Sequence, residues 1–362
     1  MKVNIETLQI GSVVTKDVMG KTSYPIIPKN TVITEKELEI LRAFLIKEIE
    51  IKKQLVTGEK AIIDEKVAPV TKREKTIQTT KKGFVEEYRF AVEQYKHEFT
   101  TWQSGGKVNI SKIREILSPA FEASQKSKSW IRSIHQYANK EEYHYYHTVA
   151  IGLITGYIAK ELGLNKGNCF QIALAGCLAD CGMAKLPPNL LSFDKSLTSQ
   201  SWAEIKKHPI HSYQMVKNIT LLKPEMKLAI LQHHERIDGT GYPLAEKGDR
   251  VHKYSQIIAI ADIYHAMTSE RPYKKAQSPF KVLQSMEEDQ FGKLDVSVLN
   301  ILVTAITNLP LGTSVSLSNG DIGKIIFVKP ELPTRPMVKI NDTGEILDLI
   351  NHRDIYIENV IY

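Results

Sequence analysis

The stretch His233-His234-Glu235-Arg236-Ile237-Asp238-Gly239-Thr240-Gly241-Tyr242-Pro243 constrains this chain more than any other. Pro224 suits the first position of a helix, where its missing N–H is not needed. Met226, Ala229, Ile230 and His233 then recur at helical spacing, so one apolar face ends in an imidazole. Asp238-Gly239 and Gly241 stop that helix and let the backbone turn tightly. The expected picture is a helix end carrying two imidazoles over a rigid loop that bears an aromatic ring. Imidazole is the commonest metal ligand, but a lone histidine pair is also an ordinary surface or capping feature. The rest of the chain has to decide between them.

With 362 residues the chain has material for two or three domains and ample core. No apolar run of signal-peptide type follows Met1. The uncharged run Tyr143 to Ala159 contains His144 and His147 and is short for a membrane span, so it reads as a buried helix. Cys169, Cys177 and Cys181 are odd in number and form no CxxC pair, which fits packing roles in a reduced, cytoplasmic compartment. The net charge of +7 is compatible with anionic ligands but too diffuse to mark a nucleic-acid surface.

Residues 1–55 read as a small β-rich module with one short helix carrying Leu38, Leu41, Phe44 and Leu45. Residues 56–82 are dense in charge, lack aromatics and contain Pro69, as a linker would. Residues 83–140 form a helical connector broken at Ser104-Gly105-Gly106. From 141 to 309 helix follows helix, and a bundle is expected. After Pro310 the period changes. Val315, Leu317, the Asn319-Gly320 pair, Ile322, Ile325 and Phe327 predict a hairpin with a primed turn, and a second hairpin falls near Asn341 to Gly344. Residues 310–362 therefore read as a small barrel-like β module. The expected fold class is mainly α, with small flanking modules at either end.

Within the helical region His147, Asp180, His208, His233, His234 and Asp262 each sit at or near the end of an apolar-patterned helix. One such residue is usually a satisfied core or cap group. Six on successive helices of one bundle are harder to explain in that way. Nitrogen and carboxylate donors suit zinc, manganese or iron, and a carboxylate can bridge two ions.

The chain from Glu141 to Asn308 resembles the HD-GYP domain, a subgroup of the HD phosphohydrolase superfamily. The residues that carry the likeness are His147 in Glu-Tyr-His-Tyr-Tyr-His-Thr-Val-Ala, His208-Pro209, the whole His233-to-Pro243 stretch, and Ala261-Asp262 followed by Met267-Thr268-Ser269-Glu270-Arg271-Pro272-Tyr273. The resemblance implies metal-dependent hydrolysis of cyclic di-GMP, or binding of it or a related cyclic dinucleotide, in bacterial signalling. It places metal ligands at His147, Asp180, His208, His233, His234 and Asp262, with Asp180 also catalytic. It places contacts to the dinucleotide at Tyr242, Arg271 and Lys274, with the two cations forming a positive wall beside Tyr242.

Departures from the family pattern cluster in the catalytic half. The namesake His-Asp pair is Ala179-Asp180, so one imidazole is gone. Met183 stands where a lysine usually meets the scissile phosphate, His265 where an aspartate is common, and Tyr143 where a glutamate marks three-metal members. His265 and His211 are the candidates for a replacement nitrogen. Two readings follow. One is a signalling protein that binds the dinucleotide through a degenerate metal site, holding one ion rather than two, with a protein partner on its flanking β modules. The other is an active phosphodiesterase with a rebuilt site.

Overall fold

Helices run from Phe84 to Thr307 in the computed structural model, and strands occupy the two ends of the chain. The structure describes residues 83–190, 198–271, 274–289 and 292–361. Before these it describes 2–5, 8, 10–19, 25–34, 37–38, 41, 46 and 48–52. The expected charged linker at 56–82 lies outside the described residues, as do Phe44 and Leu45 of the expected short helix. No described helix is long and apolar enough to cross a membrane. The chain divides into two units, Met1–Gln78 and Thr79–Tyr362.

In the first unit β1 (Lys2–Asn4) pairs antiparallel with β4 (Glu48–Glu50), and β2 (Val18–Met19) with β3 (Pro25–Ile27). Val14, Ile27, Ile33, Leu41, Ile49 and Ile51 bury their side chains together as a small core of its own.

The second unit is built around α4 (Tyr143–Glu161), with α1 (Phe84–Gln103), α2 (Ile110–Ser124) and the single turn α3 (Trp130–Ser133) before it. Every residue of α4 from His147 to Ala159 is buried. A helix that is apolar on all sides has to lie inside others, and the uncharged composition of this one leaves no face for water. It packs along α5 (Lys166–Leu178) and against α9 (Lys253–Thr268). The path between them passes a short 3-10 turn at Cys181–Lys185, then α6 (Ser199–Ile205), α7 (His208–Val216) and α8 (Pro224–Gln232). After α9 come α10 (Pro279–Asp289) and α11 (Val296–Thr307). The three cysteines are free and buried.

The C-terminal strands are β5 (Ser314–Leu317), β6 (Ile322–Phe327), β7 (Met337–Ile340), β8 (Ile346–Asp348) and β9 (Ile357–Ile361). They form one antiparallel sheet in the order β8-β7-β6-β5-β9. Among the described residues no pairing joins β8 to β9, so the sheet is open where the sequence suggested a barrel. The reason is packing: Val315, Leu317, Ile325, Val338 and Leu347 bury the inner face in the same core as the helices, and closure is not needed to hide it. The β5–β6 hairpin forms, but its turn is not primed. Four residues, Ser318 to Asp321, lie between the strand ends, and of Asn319 and Gly320 only the glycine has a positive φ, +94°. A longer hairpin loop needs one left-handed residue rather than two. Arg335 fastens the sheet to the bundle. Its guanidinium donates to the carbonyls of Leu349 (2.8 Å), Arg353 (3.0 Å) and Ile355 (3.2 Å) and to Gln284 Oε1 on α10 (2.6 Å).

Candidate metal centre

Asp180 follows α5 directly and opens the short turn that leads out of it. Its Oδ1 lies 3.0 Å from His208 Nε2, at the start of α7, and 3.4 Å from His233 Nε2, at the end of α8. Its Oδ2 lies 3.9 Å from His147 Nε2 on α4. That nitrogen is 3.1 Å from Asp262 Oδ1 on α9, and Asp262 Oδ2 is 3.6 Å from His234 Nδ1. The six side chains singled out in the sequence therefore meet in one continuous network, contributed by five helix ends or faces.

The histidine hydrogen bonds show what the network can hold. His208 Nδ1 is 2.8 Å from the Ile205 carbonyl and His233 Nδ1 is 2.6 Å from the Ile230 carbonyl. A carbonyl only accepts, so each Nδ1 carries a hydrogen, and a ring with no hydrogen on Nε2 turns that lone pair inward. The two Nε2 atoms are 3.1 Å apart, with the Asp180 carboxylate against both. Electron pairs converging in this way fit a cation, and the backbone bonds behind them are the usual means of orienting metal-ligating imidazoles. Asp180, His208, His233 and His234 each offer a ligand atom, all within 4.8 Å of one another. Such a set suits a divalent transition metal.

Charge states agree with that donor set. Burial alone would raise the Asp180 carboxyl, but the His208 and His233 imidazoles outweigh it and hold the group well below the usual carboxylate range. Burial, then the neighbouring His233 and His208 rings, hold His234 well below the ordinary histidine value, so it is neutral. His147 and Asp262 lie outside that group of four. Ala179, fully buried at the end of α5, precedes Asp180 directly.

His265 does not join the group of four either. It is fully buried, with Nδ1 3.1 Å from His147 Nδ1 and 3.2 Å from Ser269 Oγ. It therefore backs His147 on the side away from Asp262, because the two residues sit on α9 at positions that meet opposite edges of the same ring. Tyr143 stacks on His147 at 4.9 Å and 24°. Met183 is buried in the apolar core of the bundle.

The residues expected to contact a ligand divide between the two ends of the network. Tyr242 stacks on His234 at 4.6 Å and 25°. Arg271 lies 5.9 Å over the Tyr143 ring, on the His147 side. Lys274 is exposed and shares a tight turn with Arg271, whose N–H donates to its carbonyl at 3.0 Å. A cation beside Tyr242 is Lys206, with Nζ 5.5 Å from the ring centroid.

Glu235, between the histidine pair and the glycine turn, holds the loop to the helix end. Its buried carboxylate accepts the N–H groups of Leu244 (2.6 Å) and Glu246 (3.1 Å). Tyr242 N–H donates to the His234 carbonyl at 3.2 Å. The loop thus folds back on the helix end so closely that a Cβ at Gly241 would lie 2.4 Å from Arg236 N and 2.5 Å from His234 O. The sequence signal was present: an acid between a ligand pair and a glycine turn has free backbone donors within reach.

Two further histidines give the bundle a pH dependence. His135 Nδ1 and His144 Nε2 are buried without a hydrogen-bond partner, and burial pushes both rings down to about 4. An unfolded histidine titrates near 6.5. Between those values the unfolded chain binds protons that the folded chain refuses, so stability falls as pH drops from about 6.5 towards 4. Each ring contributes up to about 1.4 kcal/mol per pH unit in that window. Urea midpoints at pH 7.5 and 5.0 should show the loss, and His135→Gln should lessen it. Equal slopes for both proteins would refute the assignment.

Residues 129–298 match the family model described as HD domain. A protein named cyclic di-GMP phosphodiesterase from Pseudomonas aeruginosa is 26% identical over 242 residues, 67% of this chain and 58% of that protein. A protein named 3'3'-cGAMP-specific phosphodiesterase 3 from Vibrio cholerae is 29% identical over 164 residues, 45% of this chain and 35% of its own length. The chain thus spans between about a third and three-fifths of these relatives. Among solved structures, an HDG"Y"P protein from Bdellovibrio bacteriovorus aligns with TM-score 0.43 at 17% identity, covering 83% of this chain and 97% of that one.

Proposed function

We propose that this chain is an HD-GYP-type signalling protein that binds cyclic di-GMP or a related cyclic dinucleotide, holds one divalent ion tightly, and hydrolyses the ligand slowly or not at all. The observation that carries the reading is the uneven network: His208, His233 and His234 gather round Asp180 in one group of four ligand atoms, which His147 and Asp262 do not join, and the residue before Asp180 is an alanine. The relatives' names supply the ligand class.

Asp180, His208, His233 and His234 would hold the first ion, and His147 and Asp262 with the other oxygen of Asp180 the weaker one. Bound divalent metal supplies Lewis acidity towards a phosphodiester and lowers the pKa of water. The protein's own part is to bind and orient. Tyr242 offers a ring and a hydroxyl beside the cluster, and burial with the nearby Asp262 and Asp180 charges holds that hydroxyl protonated. Arg271 offers a planar fork for phosphate oxygens, and Lys274 a mobile point charge. Glu235 holds the loop that aims Tyr242. The rebuilt-site alternative loses support from His265, which backs His147 instead of facing Asp180. For a protein partner we propose the C-terminal sheet, where Ile322 and Phe327 on β6 and Ile346 on β8 are exposed.

The test is restoration. Protein purified without added metal should carry one ion per chain, and Ala179→His should carry two. With manganese supplied to both, the variant should release linear dinucleotide faster by on the order of 10²-fold, the usual worth of a preorganised electrostatic group. Equal turnover, with two ions already in the unaltered chain, would overturn the proposal. Comparing unfolding midpoints shows whether the buried position accepts an imidazole.

A further inference from the structure

The run of rings that starts in the histidine cluster does not end at Tyr242. Beyond it lies Lys206, and beyond Lys206 lies Trp202, whose ring centroid is 5.8 Å from the same ammonium. Trp202 belongs to α6, and Lys206 follows the last residue of that helix directly. His208, two positions later, is one of the four clustered donors. This short stretch therefore presents a donor inward and a ring and a cation outward, over the loop that carries Tyr242.

Two features of the pair are costly unless something covers them. Trp202 is 46% exposed, whereas Trp102 and Trp130 are 0% and 4% exposed. A large ring left in water beside a polar cluster is an unpaid hydrophobic contact. Lys206 forms no ion pair among the described residues, although its neighbour Lys207 pairs with Glu204 at 2.6 Å. Its partners are the faces of two rings, which hold an exposed ammonium only weakly.

We infer that Trp202 and Lys206 form a nucleotide-docking rim: Trp202 stacks on one base of the cyclic dinucleotide, and Lys206 meets a phosphate oxygen. The inference rests on the proposed function and deepens it. A ligand with a phosphodiester at the cluster must carry its bases outward past Tyr242, because the His234–Tyr242 stack occupies the inner layer. The next layer offers a cation and then an open π face. Every nucleobase has a face that stacks on an indole, and the ammonium is a compact charge suited to a phosphate oxygen.

The exposed indole also provides the readout. Cyclic di-GMP, and separately 3'3'-cGAMP, is titrated into the full chain by calorimetry and by tryptophan emission. The unaltered chain should bind with quenching. Trp202→Phe should keep affinity within a few-fold and lose most of the quenching. Trp202→Ala should weaken binding by roughly 5- to 150-fold, the range reported for removing one stacking partner. Lys206→Ala should weaken it by about ten-fold and make the salt dependence shallower. Metal content should be unchanged in all three. Trp202→Ala or Lys206→Ala with unaltered affinity overturns the rim. Loss of metal in these variants overturns it too, since the residues would then be acting through the fold. Failure of the unaltered chain to bind either dinucleotide overturns the proposed function and the rim with it.

Discussion

Asp180→Asn is expected to leave the chain without tightly held metal. The carboxylate touches three of the four clustered imidazole-bearing positions through its two oxygens: His208 at 3.0 Å, His233 at 3.4 Å and His147 at 3.9 Å. No other acid reaches the His208–His233 pair among the described residues. An amide has nearly the same shape, so packing is preserved while the negative charge is lost. Perturbing an outer partner of a ligand costs ~10–100-fold in affinity, and removing the shared ligand costs more than that. Elemental analysis of the purified variant should read near zero ions per chain. Heating with and without manganese gives a second check. At a metal concentration of about 100 times its dissociation constant the unaltered protein gains about 2.7 kcal/mol, and the variant should gain almost nothing. A variant that keeps one ion per chain would remove Asp180 from the centre of the site.

Gly182→Ala should do comparable damage without touching a donor atom. A Cβ built at Gly182 lies 2.3 Å from the His208 carbonyl oxygen and 2.3 Å from Ser212 N, with Ser212 Oγ at 2.7 Å. The first two are backbone atoms of α7 and cannot swing aside. The Gly182 N–H also donates to Ser212 Oγ at 2.8 Å, a bond that any retreat would stretch. Overpacking a well-filled core costs typically 1–3 kcal/mol and sometimes more, and contact with backbone on two sides puts this case at about 3 kcal/mol or above. Any relief must move α7 away from the turn that holds Asp180, and His208 goes with it. Urea unfolding should show the stability loss, and metal titration of the surviving folded protein should show weaker binding. Stability equal to the unaltered chain would mean that the approach is looser than it appears in the structure.

How much of this could be read from the sequence depended on whether the signal was local. Helices announce themselves through a repeating face, so the buried run from Tyr143 and the helix ending at His233 were legible. The convergence of His147, Asp180, His208, His233, His234 and Asp262 was legible only because a known motif string fixed which helices share a site. Periodicity alone would not have brought residues more than a hundred positions apart together. What escaped was set by rotation and by loop path. His265 lies one turn from Asp262, and spacing on a single helix does not say which edge of a neighbouring ring it meets. Lys206 meets Tyr242 because of how the loop after His234 folds back, and that path is drawn by the Glu235 carboxylate and the close approach at Gly241. The turn at Asn319-Gly320 departs from the primed form because its loop length follows from where the strands stop pairing, which the dipeptide itself does not encode.

The His147–His265 contact has one more consequence. A carboxylate behind a histidine can only accept, and it commits the ring to a single tautomer. An imidazole can give or take, so the single hydrogen between these two Nδ1 atoms, 3.1 Å apart, can belong to either. When His265 keeps it, His147 carries its own hydrogen on Nε2 and donates to Asp262 at 3.1 Å. When His147 keeps it, the Nε2 lone pair turns towards the two aspartates. Freeing that lone pair takes a tautomer change in both rings, with the hydrogen on His147 Nε2 leaving as His265 takes one on its own Nε2, a freedom that a chain with an aspartate at position 265 would not have.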